Sequence, residues 1–248
     1  MGTVRIGSTV IGGGTFAIIA GPCAVESQQQ FLKVSMFLKE LGVQILRGGI
    51  YKLRTDPNSF QGLREEAIAW LPEIKQHIGL PLVSEITDPR QVEKLDPVVD
   101  CYQVGTRNMY NYELLKELGK TRKPVILKRG FSALIKEWLL ATEYLLAGGN
   151  DQIILCERGI RTFETFTRNT LDLAAVAYIK SKTQFPVIVD PSHAAGSSDL
   201  VLPLAKAAKA VGADGVLIEV HAEPSQALSD ADQALNFMGM QALFKELS

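Results

Sequence analysis

Eight short apolar runs, rich in Val and Ile, recur along the chain: TFAIIAG (15–21), VQILRGG (43–49), PLVSEI (81–86), CYQVG (101–105), PVILKRG (124–130), QIILCER (152–158), PVIVDPS (186–192) and GVLIEV (215–220). Each is apolar at consecutive positions and not at alternate ones, the mark of a strand buried on both faces. The intervening segments carry helical spacing, as in FLKVSMFLKELG, EEAIAWLPEIKQHIG, ALIKEWLLATEYLLAGG and RNTLDLAAVAYIKSKT. Several close on glycine before the next run (ELGV, HIGL, AGGN, VGAD), which suits a helix C-cap. Eight such units in 248 residues predict a single (β/α)8 TIM barrel over 1–248. A doubly wound sheet is the alternative. It would show fewer strands and a Gly-rich phosphate turn, and neither GxGxxG nor GxxxxGK[ST] occurs. The opening VRIGSTVIGGGTF alternates around glycines, as a hairpin closing the barrel bottom would.

A barrel places its chemistry at the C-terminal ends of its strands. Taken in order, those ends offer Cys23; Arg47 with Lys52 and Arg54; Glu85; Arg107; Lys128; Arg158; His193; and Glu219. They divide into two sets. Cys23, His193 and Glu219, joined by Asp230 in ALSDADQ, combine thiolate, imidazole and carboxylate. That mixture suits a divalent first-row metal (Mn²⁺, Fe²⁺, Zn²⁺ or Co²⁺) better than Mg²⁺ or Ca²⁺. The competing reading is a core Cys23 beside a catalytic His193 without metal.

The second set is Arg47, Lys52, Arg54, Arg107, Lys128 and Arg158, with Glu85 as the one rim acid left over. Unpaired cations in a cleft are costly, so anionic ligands are expected; six exceed the needs of one monophosphate and fit two anionic substrates better. The net charge of −1 and pI near 6.3 give no global attraction to nucleic acid or to a membrane surface. No run has the length of a membrane span. Three scattered cysteines argue against a disulfide framework and for a cytoplasmic setting.

GPCAVES (21–27), LRGGIYKLRT (46–55), QVGTRN (103–108), ILKRG (126–130), CERG (156–159), DPSHAAG (190–196), and IEVH with ALSD resemble 3-deoxy-D-arabino-heptulosonate 7-phosphate (DAHP) synthase of the type Iβ branch. That branch shares ancestry with 3-deoxy-D-manno-octulosonate 8-phosphate (KDO8P) synthase. The resemblance implies condensation of phosphoenolpyruvate with erythrose 4-phosphate at a divalent metal, opening the shikimate pathway. It carries metal ligation onto Cys23, His193, Glu219 and Asp230, with one metal per subunit. It carries phosphoenolpyruvate contacts onto Arg47, Lys52, Glu85, Arg107, Lys128 and Arg158, and tetrose-phosphate contacts onto Arg54 and Thr55. Lys52 would also deliver a proton. A homotetramer is implied as well.

The chain departs from the family at Leu53, usually Pro; at Asp56, often Ser; at Ala222, often Pro; and in the AAGSSD loop with Ser197 and Ser198. Asp56 places a negative charge near the expected tetrose phosphate, so sugar choice is the open point. KDO8P synthase, with arabinose 5-phosphate as substrate, is the alternative, but it would carry an Asn-containing segment where Lys52-Leu53-Arg54-Thr55 stands. A non-catalytic phosphate-binding barrel is the third reading. With about fifteen residues before the first strand, no separate regulatory domain and no feedback inhibition of its own by aromatic amino acids are expected, though a partner protein is compatible with such control. Cys101 and Cys156 read as core thiols, His77 as a solvated helix end, Trp70 and Trp138 as packing, and His221 as a neighbour of the site.

Overall fold

The computed structural model describes residues 2–248. Strands β1 (Thr3–Ile6) and β2 (Thr9–Gly12) pair antiparallel. β3 (Ala17–Gly21), β4 (Ile45–Arg47), β5 (Leu82–Ile86), β6 (Cys101–Val104), β7 (Val125–Lys128), β8 (Ile153–Glu157), β9 (Val187–Val189) and β10 (Gly215–Glu219) form a closed parallel barrel, with β10 pairing both β9 and β3. The helices are α1 (Gln28–Leu41), α2 (Glu65–Ile78), α3 (Val92–Leu95), α4 (Tyr112–Gly119), α5 (Ile135–Ala147), α6 (Leu173–Lys182), α7 (Pro191–Ala195), α8 (Val201–Ala210) and α9 (Phe237–Leu247). No described helix is long and apolar enough to cross a membrane.

Local signals explain the element ends. In α1, Ser27 accepts a hydrogen bond from the Gln30 amide at the start, and Gly42 takes the left-handed conformation at the end, with φ of 97°. α6 begins later than its periodicity predicts. Asp172 caps it through the Ala175 amide, and Arg168–Leu171 lie outside the helix. That shift frees Arg168 to cross to the barrel mouth.

The strand pleat sorts the core into two clusters. Ile18, Ala20, Leu46, Leu127 and Leu155 face the helices. Ala17, Ile19, Ile45, Val83, Cys101, Ile126, Ile154, Cys156, Ile188 and Leu217 fill the barrel interior, joined by Val4, Ile6 and Ile11 of the hairpin. The hairpin therefore plugs the bottom, and Cys101 and Cys156 are interior thiols. Trp138 is fully buried and donates to the Leu127 carbonyl, Trp70 packs against the core, and His77 is exposed on the last turn of α2.

Candidate active site

Alternation does not stop where the apolar interior ends. Two residues beyond Ile45, Val83, Cys101, Ile126, Cys156, Ile188 and Leu217 stand Arg47, Glu85, Gln103, Lys128, Arg158, Asp190 and Glu219. On β3 the equivalent position is Gly21, where a Cβ would sit 2.0 Å from the Arg47 carbonyl oxygen, and Cys23 follows two residues later. This corrects two assignments. The inward residue at the end of β6 is Gln103, with Arg107 on the turn Thr106–Asn108 beyond it; at the end of β9 it is Asp190, with His193 on α7. Both expected residues still reach the same mouth.

Cys23 Sγ, His193 Nε2 and carboxylate oxygens of Glu219 and Asp230 all lie within 4.8 Å of one another. Cys23 is 3.0 Å from Asp230 Oδ2 and 3.9 Å from His193 Nε2, which is 3.3 Å from Glu219 Oε1. Asp190 Oδ2 accepts from His193 Nδ1 at 2.7 Å, fixing the tautomer that turns Nε2 toward the other three. Burial pushes His193 down to about 4 against the pull of Asp190 and Glu219, so the ring is neutral, as a ligand must be. Burial, then Glu219, pushes the Cys23 thiol up. A divalent cation among these atoms would reverse that and stabilise the thiolate. Asp230 occupies the left-handed region at φ 53°, unusual outside glycine and consistent with a residue held for its side chain. The donor set, its spacing and the oriented imidazole fit a first-row divalent metal.

A cleft at the barrel mouth opens onto this cluster, with His193 and Asp230 in its wall. Arg47, Lys52, Arg54, Arg107, Lys128, Arg158 and Arg168 face Glu85 and Asp230 across it, seven positive charges against two negative ones. The cations are not all unpaired, as the sequence led one to expect. Arg47 bonds Glu219 at 2.9 Å, Lys52 sits 3.0 Å from Asp230 and also donates to Cys23 Sγ, and Lys128 sits 2.6 Å from Asp190. Asp190 is a further acid at the mouth, but it is engaged by Lys128 and His193, so Glu85 remains without an ion-pair partner among the described residues. Burying that many charges requires partners, and the strand ends supply them. Burial works against the Lys52 charge, but Cys23, Asp230 and Glu219 outweigh it and raise its pKa, so the amine is protonated.

Arg54, Arg107 and Arg158 have no carboxylate partner among the described residues. Nη1 of Arg54 and Nε of Arg158 are buried without any hydrogen-bond partner, and Arg107 Nε donates to Thr55 Oγ1 at 3.1 Å. Burial lowers Arg158 to about 10, with Arg168 adding repulsion. Gly105 keeps the floor open, because a Cβ there would meet Glu85 Oε1 at 2.3 Å. The carboxylate of Asp56 is spent on its own turn, accepting from the Asn58 amide at 2.9 Å, while Leu53 lines the cleft.

Three contributors escaped the sequence reading. Arg168 donates to Asp230 Oδ1 at 2.9 Å and to Gln233 at 2.6 Å, and Gln233 in turn donates to Glu219 Oε2. Asp190 is the third; its place three residues before His193, in the N-cap position of DPSH, was the available signal. His221 supports a loop and not the cluster: its Nε2 is 3.3 Å from Glu26, which also accepts from the Leu228 amide and so ties the Asp230 loop to the β3–α1 loop.

Residues 3–248 match the DAHP synthetase I family. The chain is 50% identical over 244 residues to phospho-2-dehydro-3-deoxyheptonate aldolase of Thermotoga maritima, covering 98% of this chain and 71% of that protein. A crystal structure of the Thermotoga enzyme, DAHP synthase, superposes with a TM-score of 0.94 at 48% identity, over 99% of this chain and 71% of that one. The 2-dehydro-3-deoxyphosphooctonate aldolase of Geobacter sulfurreducens is more distant, at 30% identity over 98% of this chain and 96% of that protein.

Proposed function

The chain belongs to the DAHP synthetase I family and condenses phosphoenolpyruvate with erythrose 4-phosphate in the shikimate pathway, and on that premise we propose how its residues divide the work. Arg47, Lys52, Glu85, Arg107, Lys128 and Arg158 hold phosphoenolpyruvate, while Arg54 and Thr55 take the phosphate of the tetrose. The partnerless guanidinium atoms of Arg54 and Arg158 support this division, since each is a buried donor whose ligand must come from outside the chain. Fixing both anions beside each other aligns carbon 3 of phosphoenolpyruvate with the aldehyde, which is where most of the rate gain of such a site arises.

Cys23, His193, Glu219 and Asp230 hold one divalent cation per subunit, with the imidazole oriented by Asp190. When bound there, the cation supplies Lewis acidity beside the aldehyde oxygen. Lys52, protonated and beside that cluster, donates the proton as the aldehyde oxygen becomes a hydroxyl; water adds to the carbon 2 left cationic and gives up its proton, and the bond from carbon 2 to the phosphate oxygen breaks to release phosphate. Cys23 must stay reduced to serve as a ligand, so a reducing, cytoplasmic setting belongs to the same reading. A homotetramer belongs to it too, supported by the exposed apolar side chains of Leu134, Leu140, Phe163 and Phe166. Light scattering in solution checks that state.

The observation that carries the proposal is the meeting of a four-residue ligand cluster and a cation-lined cleft at one barrel mouth. The test is Co²⁺ titration of chelator-treated protein. Wild type develops a thiolate-to-cobalt absorption band, and Cys23→Ala binds Co²⁺ without that band and does not turn over. A wild-type spectrum in the Cys23→Ala protein would show that the thiol is not a ligand.

A further inference from the structure

Phe131 stands in the turn after β7, the strand that ends in Lys128, and its carbonyl accepts from the Arg161 amide at 2.7 Å. Three guanidinium carbons lie near its ring: Arg161 at 4.5 Å from the centroid, Arg158 at 4.9 Å and Arg107 at 5.2 Å. None of the three has a carboxylate partner among the described residues. The apolar core does not account for Phe131, because the ring is only half-buried.

The face of an aromatic ring attracts a cation through its quadrupole without neutralising it. A carboxylate in the same place would hold the guanidiniums equally well, but it would compete with the phosphate of the substrate. Like charges crowded in a cleft repel; the Gly159 and His193 carbonyls, each at 3.1 Å, hold the Nη side of Arg158, and the ring face gathers it with Arg107 and Arg161. The ring therefore supplies attraction without neutralising charge: Arg158 gives Nη1 and Nη2 to the Gly159 and His193 carbonyls and Arg107 gives Nε to Thr55, which leaves Nε of Arg158 and the Nη groups of Arg107 for an oxyanion.

We infer that Phe131 is a positioning residue for phosphate binding, a neutral stacking platform that holds Arg107 and Arg158 ready for the phosphate of phosphoenolpyruvate. This rests on the proposal that those two arginines bind that substrate. Arg54 does not stack on the ring, so the tetrose-phosphate subsite is largely independent of it.

The test compares Phe131→Leu, which keeps an apolar side chain, with Phe131→Tyr, which keeps the ring face. Steady-state kinetics and calorimetric titration with inorganic phosphate are run on each, with Arg107→Ala as the control on the underlying reading. In Phe131→Leu the KM for phosphoenolpyruvate rises about tenfold and phosphate binding weakens in parallel, while the KM for erythrose 4-phosphate moves less than about threefold. Phe131→Tyr restores both toward wild type. If Leu and Tyr variants behave alike, or if Leu lowers kcat and the melting temperature with KM unchanged, the ring is only packing and the inference is overturned. If Arg107→Ala leaves the KM for phosphoenolpyruvate unchanged, the assignment of the arginines fails instead.

Discussion

Asp190→Asn removes one charge from a carboxylate that His193 and Lys128 share at the barrel mouth. Oδ2 of Asp190 is shared by His193 Nδ1 at 2.7 Å and Lys128 Nζ at 2.6 Å, and Oδ1 caps the His193 amide at 2.9 Å. Asparagine can keep the cap through its carbonyl oxygen, but its NH₂ group then faces two donors. Two separable losses follow. The imidazole is no longer held in the tautomer that presents Nε2, and loss of such a partner weakens metal binding about 10–100-fold. Lys128, with 4% of its side chain exposed, loses its counter-charge, and breaking a buried pair from one side costs roughly 3–5 kcal/mol. Glu85 is near enough to feel the Lys128 charge and offsets part of that. A net loss of about 3 kcal/mol lowers Tm by roughly 6–12 °C in a chain of this size. Metal affinity is read by chelator competition and stability by calorimetry. Lys128→Met in the Asp190→Asn background then recovers Tm without recovering metal affinity. Metal affinity within twofold of wild type in Asp190→Asn would refute the role given to the carboxylate.

Arg54→Ala raises the KM for erythrose 4-phosphate about 10–100-fold with little change in that for phosphoenolpyruvate, the loss of one charge-assisted bond to a phosphate; initial-rate kinetics on both substrates check it. Arg168→Ala weakens metal binding about tenfold or more in chelator competition, because it frees Asp230 and, through Gln233, Glu219; Arg168→Lys recovers part of it. Gly21→Ala destabilises the barrel by roughly 2–3 kcal/mol in denaturant unfolding, because the added methyl meets a strand carbonyl and not a yielding side chain.

The barrel was legible because buried parallel strands must be apolar at every position, so eight runs announced eight strands and the hairpin plug followed from the alternation of its first residues. The meeting of Cys23, His193 and Glu219 and most of the cations at one mouth was legible for a related reason: a polar or charged residue just past an apolar strand has only the mouth to face. Gln103 and Asp190 were equally readable by extending the period of two beyond Cys101 and Ile188. Arg107 and His193 lie off that period and reach the mouth from a turn and a short helix. Arg168 was hidden by periodicity. It extends the helical pattern of α6 toward the N-terminus, and only the capping of Asp172 stops the helix short of it. The pairing of Arg47, Lys52 and Lys128 was not readable at all, because their partners Glu219, Asp230 and Asp190 are remote in sequence and meet only when the barrel closes.

The most direct measurement is phosphoenolpyruvate consumption by the purified chain with erythrose 4-phosphate or arabinose 5-phosphate, each in the presence of chelator and after addition of Mn²⁺. Turnover should occur with erythrose 4-phosphate, stop on chelation and return with Mn²⁺, with arabinose 5-phosphate a poor substitute. Turnover only with arabinose 5-phosphate, or equal rates with and without metal, would contradict the account.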